Sequence, residues 1–192
     1  MISLYTESSG FIRAVAQGVR KPGAKLAGHL EPLTEVEILV VPTQAGWRLT
    51  GAIAEDQFKK LNADIERKRL ALGAAALLEL ISYPEPDLVI WEIFSSLLLF
   101  LNESNGENDI LPRARLWFLS RLLSALGYRL SEEKDRTRSS HVGELIIQCE
   151  ERPIEYVVEM EGAWEELEGE IADAVGHHLG VRLSPQKIHV LS

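Results

Sequence analysis

Cysteine is nearly absent from this chain: Cys149 is the only one among 192 residues. A single thiol excludes an intramolecular disulfide and any multi-thiolate zinc site, and it suits a reducing cytoplasm. Long apolar runs are missing as well. The longest, Leu97 to Leu101, falls far short of the roughly 20 residues that a membrane-spanning helix needs. The opening MISLYTESSG has no basic stretch followed by an apolar one, so it does not read as a signal peptide. No Gly-rich phosphate loop of the P-loop or Rossmann type occurs, and there is no internal repeat or low-complexity tract. Positive charge is scarce, with 20 Lys and Arg against 29 Asp and Glu and a formal net charge of -9. Hydrophobic residues make up 46% of the chain, which is ample for a buried core and excludes wholesale disorder. These features together read as a soluble, cytoplasmic protein with no membrane segment.

The scarce positive charge is unevenly spent. Residues 1–60 carry a net charge of +1, and residues 61–192 carry -10. The stretch GFIRAVAQGVRKPGAKLAGHL, residues 10–30, holds Arg13, Arg20, Lys21 and Lys25 and no carboxylate. Uncompensated cations in one segment are how an acidic protein can still hold a phosphate backbone. Residues 11–17 read as an extended strand, and Gly18 and Lys21-Pro22-Gly23 punctuate a turn where the cations gather. A solvated turn is the plainer reading of the same residues. In the opposite sense, residues 150–173 contain ten carboxylates and one cation, Arg152, so nucleic acid should avoid that region.

The hydrophobic period changes once, and the change predicts a boundary near residue 55. Residues 2–54 alternate as strands do: Val36, Ile38 and Val40 share one face, and Trp47, Leu49 and Gly51 another. Four such strands predict a small barrel or sandwich over residues 1–55. Residues 56–192 read as mostly helical. A long helix over 56–82, with a possible break near Gly73, ends at Tyr83-Pro84-Glu85-Pro86. Asp87 caps a helix over 88–102 that is apolar nearly all round. A third helix over 113–128 has Pro112 at its first turn, and a last one over 163–179 stops at Gly180. Residues 142–149 and 154–160 are predicted as two strands of a hairpin turning at Glu150-Glu151-Arg152-Pro153.

On the strand 11–17, Phe11, Arg13, Val15 and Gln17 fall on one face, and Ile12, Ala14 and Ala16 on the other. With the second set packed inward, Phe11 and Arg13 look out together. An aromatic ring beside a guanidinium is what sequence-tolerant single-strand binding uses, stacking being worth about 1–3 kcal/mol per base. Burial of Phe11 under the helical region is the competing reading. Arg48 belongs with this group, whereas Trp47 is more readily a core anchor. A second candidate surface lies on the helix 113–128, where Arg113, Arg115 and Arg121 accompany Leu116 and Trp117. A greasy groove rimmed by guanidinium suits an acidic, apolar, carboxylate-ended peptide. An ordinary amphipathic helix with Trp117 in the core would look the same.

The run LYTESSGFIRAVAQGVRKPGAKLAGHLEPLTEVEI resembles the N-terminal domain of the RecO family of bacterial recombination mediators. Two later stretches, FLSRLLSALGY (118–128) and HHLGVRLSPQKI (177–188), fit the family in the same order. The resemblance implies an α+β fold with an N-terminal oligonucleotide/oligosaccharide-binding (OB) barrel and a following helical domain. It also implies a non-enzymatic role: binding single-stranded DNA, annealing complementary strands, and helping RecA replace single-strand binding protein (SSB) in repair and recombination. The implied partners are single-stranded DNA, RecR, and the acidic C-terminal tail of SSB, for which the Arg113–Arg121 surface is the candidate.

Two departures from the family stand out. Members usually carry a further strand and turn before the position of Met1, so either the start site is misassigned, the barrel is incomplete, or another segment or subunit fills the gap. Many carry a four-cysteine zinc module, which one cysteine makes impossible here; no metal and no cofactor are expected. Enzyme readings find little support in the residues. Asp173 and His177-His178 supply too few metal ligands at a recognisable spacing. His141 with Cys149 is no nucleophile pair, since a buried inert thiol suits Cys149 better. An adaptor of the same fold that binds SSB or RecR and has abandoned DNA remains the alternative, and an unrelated β-plus-helix regulatory protein is a weaker third.

Overall fold

A computed structural model describes residues 1–16, 30–44, 46–81, 85–105, 110–132, 138–184 and 187–190. Alternation governs the first part. Four strands, β1 (Ile2–Thr6), β2 (Gly10–Val15), β3 (Glu35–Thr43) and β4 (Gly46–Asp56), form one sheet in the order β1-β2-β4-β3. The sheet is mixed, with β1–β2 and β3–β4 antiparallel and β2–β4 parallel. Among the described residues it is an open sheet and not a closed barrel, because β1 and β3 both remain at its edges. The expected α+β class, strands first and helices after, holds.

The inner face of the sheet carries a small core of Ala14, Leu49 and Ala52, with Ile2, Leu4, Ile38, Val40 and Trp47 packed around it. As the alternation requires, Ile12 and Ala14 are buried while Arg13 and Val15 are exposed. The β3–β4 register shifts twice, between Glu35 and Val36 and again between Leu39 and Val40. Leu39 pairs with Gly51 and Val40 with Leu49, so Thr50 is an extra residue in β4, and its hydroxyl donates to Leu39 O at 3.0 Å. That bulge moves Gly51 to the outer face, against the Leu39 side chain, and returns Ala52 to the inside.

The second part is helical: α1 (Lys59–Ala63), α2 (Ile65–Ile81), α3 (Leu88–Glu103), α4 (Ile110–Ala125), α5 (Ser140–Glu151), α6 (Ile154–Val157) and α7 (Trp164–Leu179). The predicted long helix breaks at Asp64 and not at Gly73, because the Asp64 carboxylate accepts the backbone N–H groups of Glu66 and Arg67 and starts α2. Asp87 caps α3 in the same way through Val89 and Ile90. Gly180 takes the left-handed conformation (φ 65°) that ends α7. Leu77, Leu97, Leu101, Trp117, Leu119 and Ile146 are among the side chains that fill one helical core. Arg67 is buried there and donates to Leu101 O and Ser104 O, both at 2.7 Å, closing off the carbonyl end of α3.

The hairpin predicted over 142–160 is not formed. Those residues make α5 and α6, for a reason visible in their spacing. Val142, Leu145, Ile146 and Cys149 recur every three or four residues and are all buried, and the Ser139 hydroxyl accepts from Val142 N to begin the helix. Pro153 is the N-terminal cap position of α6 and not a hairpin turn. The hairpin of this region lies later, where β5 (Val181–Ser184) pairs antiparallel with β6 (Lys187–Val190).

Candidate nucleic-acid interface

Three outward residues of β2, Phe11, Arg13 and Val15, share the face opposite the inner core. The Arg13 guanidinium lies over the Phe11 ring at 5.9 Å from its centroid, so the aromatic and the cation form one unit. The parallel register sets Val15 beside Arg48 of β4, and Arg48 in turn pairs with Val41 of β3. Arg48 is therefore flanked by two exposed aliphatic side chains, and the face continues to Leu39 and Ile53, which are 66% and 63% exposed. Alternation alone found Phe11, Arg13 and Arg48. It missed the aliphatic surround, because Leu39 and Val41 look like core residues in an apolar strand. Their signal is that Val36, Ile38 and Val40 already fill the inner face.

Trp47 is partly buried against the inner core, as its pairing with buried Ala14 dictates. Arg20, Lys21 and Lys25 lie outside the described residues.

The other half of the same outer face meets the helices. Tyr5, the cross-strand partner of Phe11, stacks on Trp91 of α3 at 5.8 Å and meets Phe94 edge-on at 6.3 Å. Burial, and secondarily the Asp87 carboxylate, push the Tyr5 phenol up to about 12. Gly10, at φ 60°, sits where a Cβ would come within 2.7 Å of Glu85 O, so the β1–β2 turn fits closely against the chain leading into α3. Arg13 pairs with Glu79 of α2 at 3.0 Å, with 62% of its side chain still exposed. Phe11 is partly buried, between the two readings its position allowed. Charge changes sign along this seam. From Leu70 to Pro112 the chain has seven carboxylates and no Lys or Arg, so a polyanion on the sheet finds no support on α3.

The second candidate surface is filled by the protein itself. Leu116 and Trp117 are each 2% exposed, and the Trp117 indole N–H donates to Arg152 O at 2.9 Å. Arg113 donates to Val158 O at 2.8 Å and lies over the Trp164 ring. Arg115 pairs with Glu168 of α7, and Arg121 donates to Glu150 O at the end of α5. The groove expected on Arg113, Arg115, Leu116, Trp117 and Arg121 is thus occupied by α5, α6 and α7. The α4 arginines meet carbonyl groups at the ends of α5 and α6 and a carboxylate of α7. The glutamates of α7 are correspondingly not a purely solvated face: Glu168 and Glu170 hold Arg115 and Arg138, and Glu166 accepts from the Ser139 hydroxyl.

Among the described residues no three His, Cys, Asp or Glu side chains converge as metal ligands. His178 instead stacks on Tyr128 at 4.1 Å, with His177 edge-on to it. Cys149 is buried on α5, and burial raises its thiol to about 12, with Glu150 adding to that and the Ser120 hydroxyl opposing it. No helix among the described residues is long and apolar enough to cross a membrane.

Residues 1–51, which include this sheet face, match the family model described as Recombination protein O N terminal. A DNA repair protein RecO of Roseiflexus sp. (strain RS-1) is 34% identical over 117 residues, 61% of this chain and 40% of that protein. The N-terminal sheet segment is therefore similar to the N-terminal region of RecO proteins. Other RecO proteins match over a longer stretch at lower identity. The DNA repair protein RecO of Geobacter sulfurreducens is 28% identical over 132 residues, covering 68% of this chain and 53% of that protein. That of Heliobacterium modesticaldum is 29% identical over 131 residues, covering 67% and 45%. The chain spans about half the length, or less, of these RecO relatives.

Proposed function

We propose that this chain acts in DNA repair and recombination by holding single-stranded DNA against the outer face of its sheet. Phe11 stacks a base, Arg13 and Arg48 neutralise phosphates, and Arg20, Lys21 and Lys25 neutralise further ones. Neutralising phosphates on two strands lowers their repulsion and leaves unpaired bases free to search for complements, so the chain anneals strands without covalent chemistry. In this reading residues 1–55 are the DNA-binding domain, and residues 56–192 form a helical domain that contacts SSB or RecR while RecA is loaded. The chain is a mediator and not an enzyme, and it works in the cytoplasm. One observation carries the reading: Phe11, Arg13 and Arg48 share one exposed sheet face in the segment that matches the family model.

The test is fluorescence anisotropy of a labelled mixed-sequence single-stranded oligonucleotide across a salt titration. Binding should weaken steeply with salt and fall at least tenfold when Arg13 and Arg48 are both changed to Glu. Binding that is indifferent to both changes sinks this site. The adaptor reading draws on a different observation, that Arg13 already has a carboxylate partner in Glu79. It predicts no oligonucleotide binding even at low salt, with binding of SSB or RecR retained. The SSB tail would then need a surface other than the occupied face of α4.

A further inference from the structure

Two donors on neighbouring strands converge on a single oxygen at the edge of this face. Ser3 of β1 and Arg13 of β2 are direct cross-strand partners on the outer side of the sheet. The Ser3 hydroxyl donates to Glu79 Oε1 at 3.2 Å, and the Arg13 guanidinium donates to the same oxygen at 3.0 Å. The same guanidinium lies over the Phe11 ring, 5.9 Å from its centroid. A hydroxyl and a guanidinium aimed at one point in space define an oxyanion position, and the oxyanion now in it is a side chain from α2. We propose that Ser3 and Arg13 form a phosphate subsite for the backbone of single-stranded DNA, with Glu79 as the resident carboxylate that phosphate displaces.

The proposal rests on the single-strand reading and adds to it Ser3, which sequence reasoning did not single out, and a competitor. Displacement is feasible because the resident pair is weak. The Arg13 and Glu79 side chains are 62% and 39% exposed, and ion pairs so open to water contribute little. A polyanion that enters also releases condensed counterions, a gain that the protein's own carboxylate cannot match. Glu79 therefore sets a threshold: weak or isolated anions leave the pair closed, whereas a phosphate held by neighbouring contacts at Phe11 and Arg48 opens it.

The test uses the full chain and the same labelled oligonucleotide. Glu79→Ala should tighten binding about three- to fivefold at low salt. It should also steepen the slope of log affinity against log salt by about 0.7, one further phosphate neutralised on a single strand. Arg13→Gln should abolish that gain in the double variant, and Ser3→Ala should remove part of it. Glu66→Ala on the same helix, where Glu66 pairs with Arg69, makes the same change in net charge away from the site and should leave affinity within twofold. The subsite is overturned, with the DNA reading intact, if the chain binds but Glu79→Ala behaves like Glu66→Ala, or if the gain survives Arg13→Gln. Absence of binding in every folded variant, including Glu79→Ala, overturns both. Thermal unfolding of each variant establishes that it is folded.

Discussion

The fold opposes the ionisation of Cys149 and Tyr5, and their pH dependence has a definite sign. Each is neutral at ordinary pH, and each has a folded value near 12, above its usual 9.0 for the thiol and 10.0 for the phenol. In the unfolded chain they ionise at the usual values, so their contribution to stability is complete below about pH 9 and is lost as pH climbs toward 12. At about 1.4 kcal/mol per unit, the buried thiol alone accounts for up to about 4 kcal/mol of that loss. Urea denaturation midpoints should therefore fall between pH 8.5 and 11, and Cys149→Ala should flatten the fall whatever it does to stability at pH 8. Equal slopes in the two proteins would refute the assignment. Residue roles of this kind were only partly legible in the sequence. Buried inert Cys149 was foreseeable from its apolar neighbours. The tasks of Arg113, Arg115 and Arg121 were not, because the partners they bond, Val158, Glu168 and Glu150, are separated from them by 29 to 53 positions.

At the scale of elements, the junction between sheet and helices turns on one residue without a side chain. Gly10 has φ 60° and faces Glu85 O so closely that an added Cβ would stand 2.7 Å from it. Backbone, and not a flexible side chain, is what would have to give. Gly10→Ala meets both penalties, the left-handed conformation and the collision. It should cost about 2 kcal/mol or more, on the scale of 1–3 kcal/mol for a strained backbone. Gly127→Ala is the control, since it shares the positive φ (88°) but has open space around it. Its cost should be the smaller by chemical denaturation, and equal costs would mean the contact with Glu85 carries no weight. The strands and most helix ends were readable because caps and alternation are local properties: Asp87, Gly180 and the Val36, Ile38, Val40 series each did what their neighbours dictate. The α5–α6 region was misread because its β-branched and apolar residues, Val142, Ile146, Ile147, Val157 and Val158, favour strands. Burial at 142, 145, 146 and 149 against α4 and α7 outweighs that preference.

For the whole molecule, the two cores differ greatly in what they bury, and this sets an order of local stability. The helical core takes in fully buried Leu61, Leu77, Leu97, Leu101, Trp117, Phe118, Leu119, Leu122 and Ile146. Among the described residues the sheet buries Ile12, Ala14, Leu49 and Ala52, and two of these four are the smallest side chain able to count as apolar. By area, at about 25 cal/mol per Å2 of apolar surface, the sheet gains far less from its own packing than the helices do. Among the described residues its ties to the helices include Gly10 against Glu85, Tyr5 on Trp91 and Phe94, Ser3 and Arg13 on Glu79, and Asn62 on Leu33 O. Opening of β3 and β4 should then cost less free energy than opening of α3 and α4, so native-state hydrogen exchange should proceed in two tiers. Amides of 35–56 are expected to exchange at least tenfold faster than those of 90–101 and 114–123, at denaturant concentrations where the helices are fully protected. Coincident exchange across both sets would mean the seam couples sheet and helices into one cooperative unit. In the two-tier case a ligand on the outer face acts on the less stable part. Single-stranded DNA should slow exchange in β2 and β4 while leaving the interior of α4 unchanged.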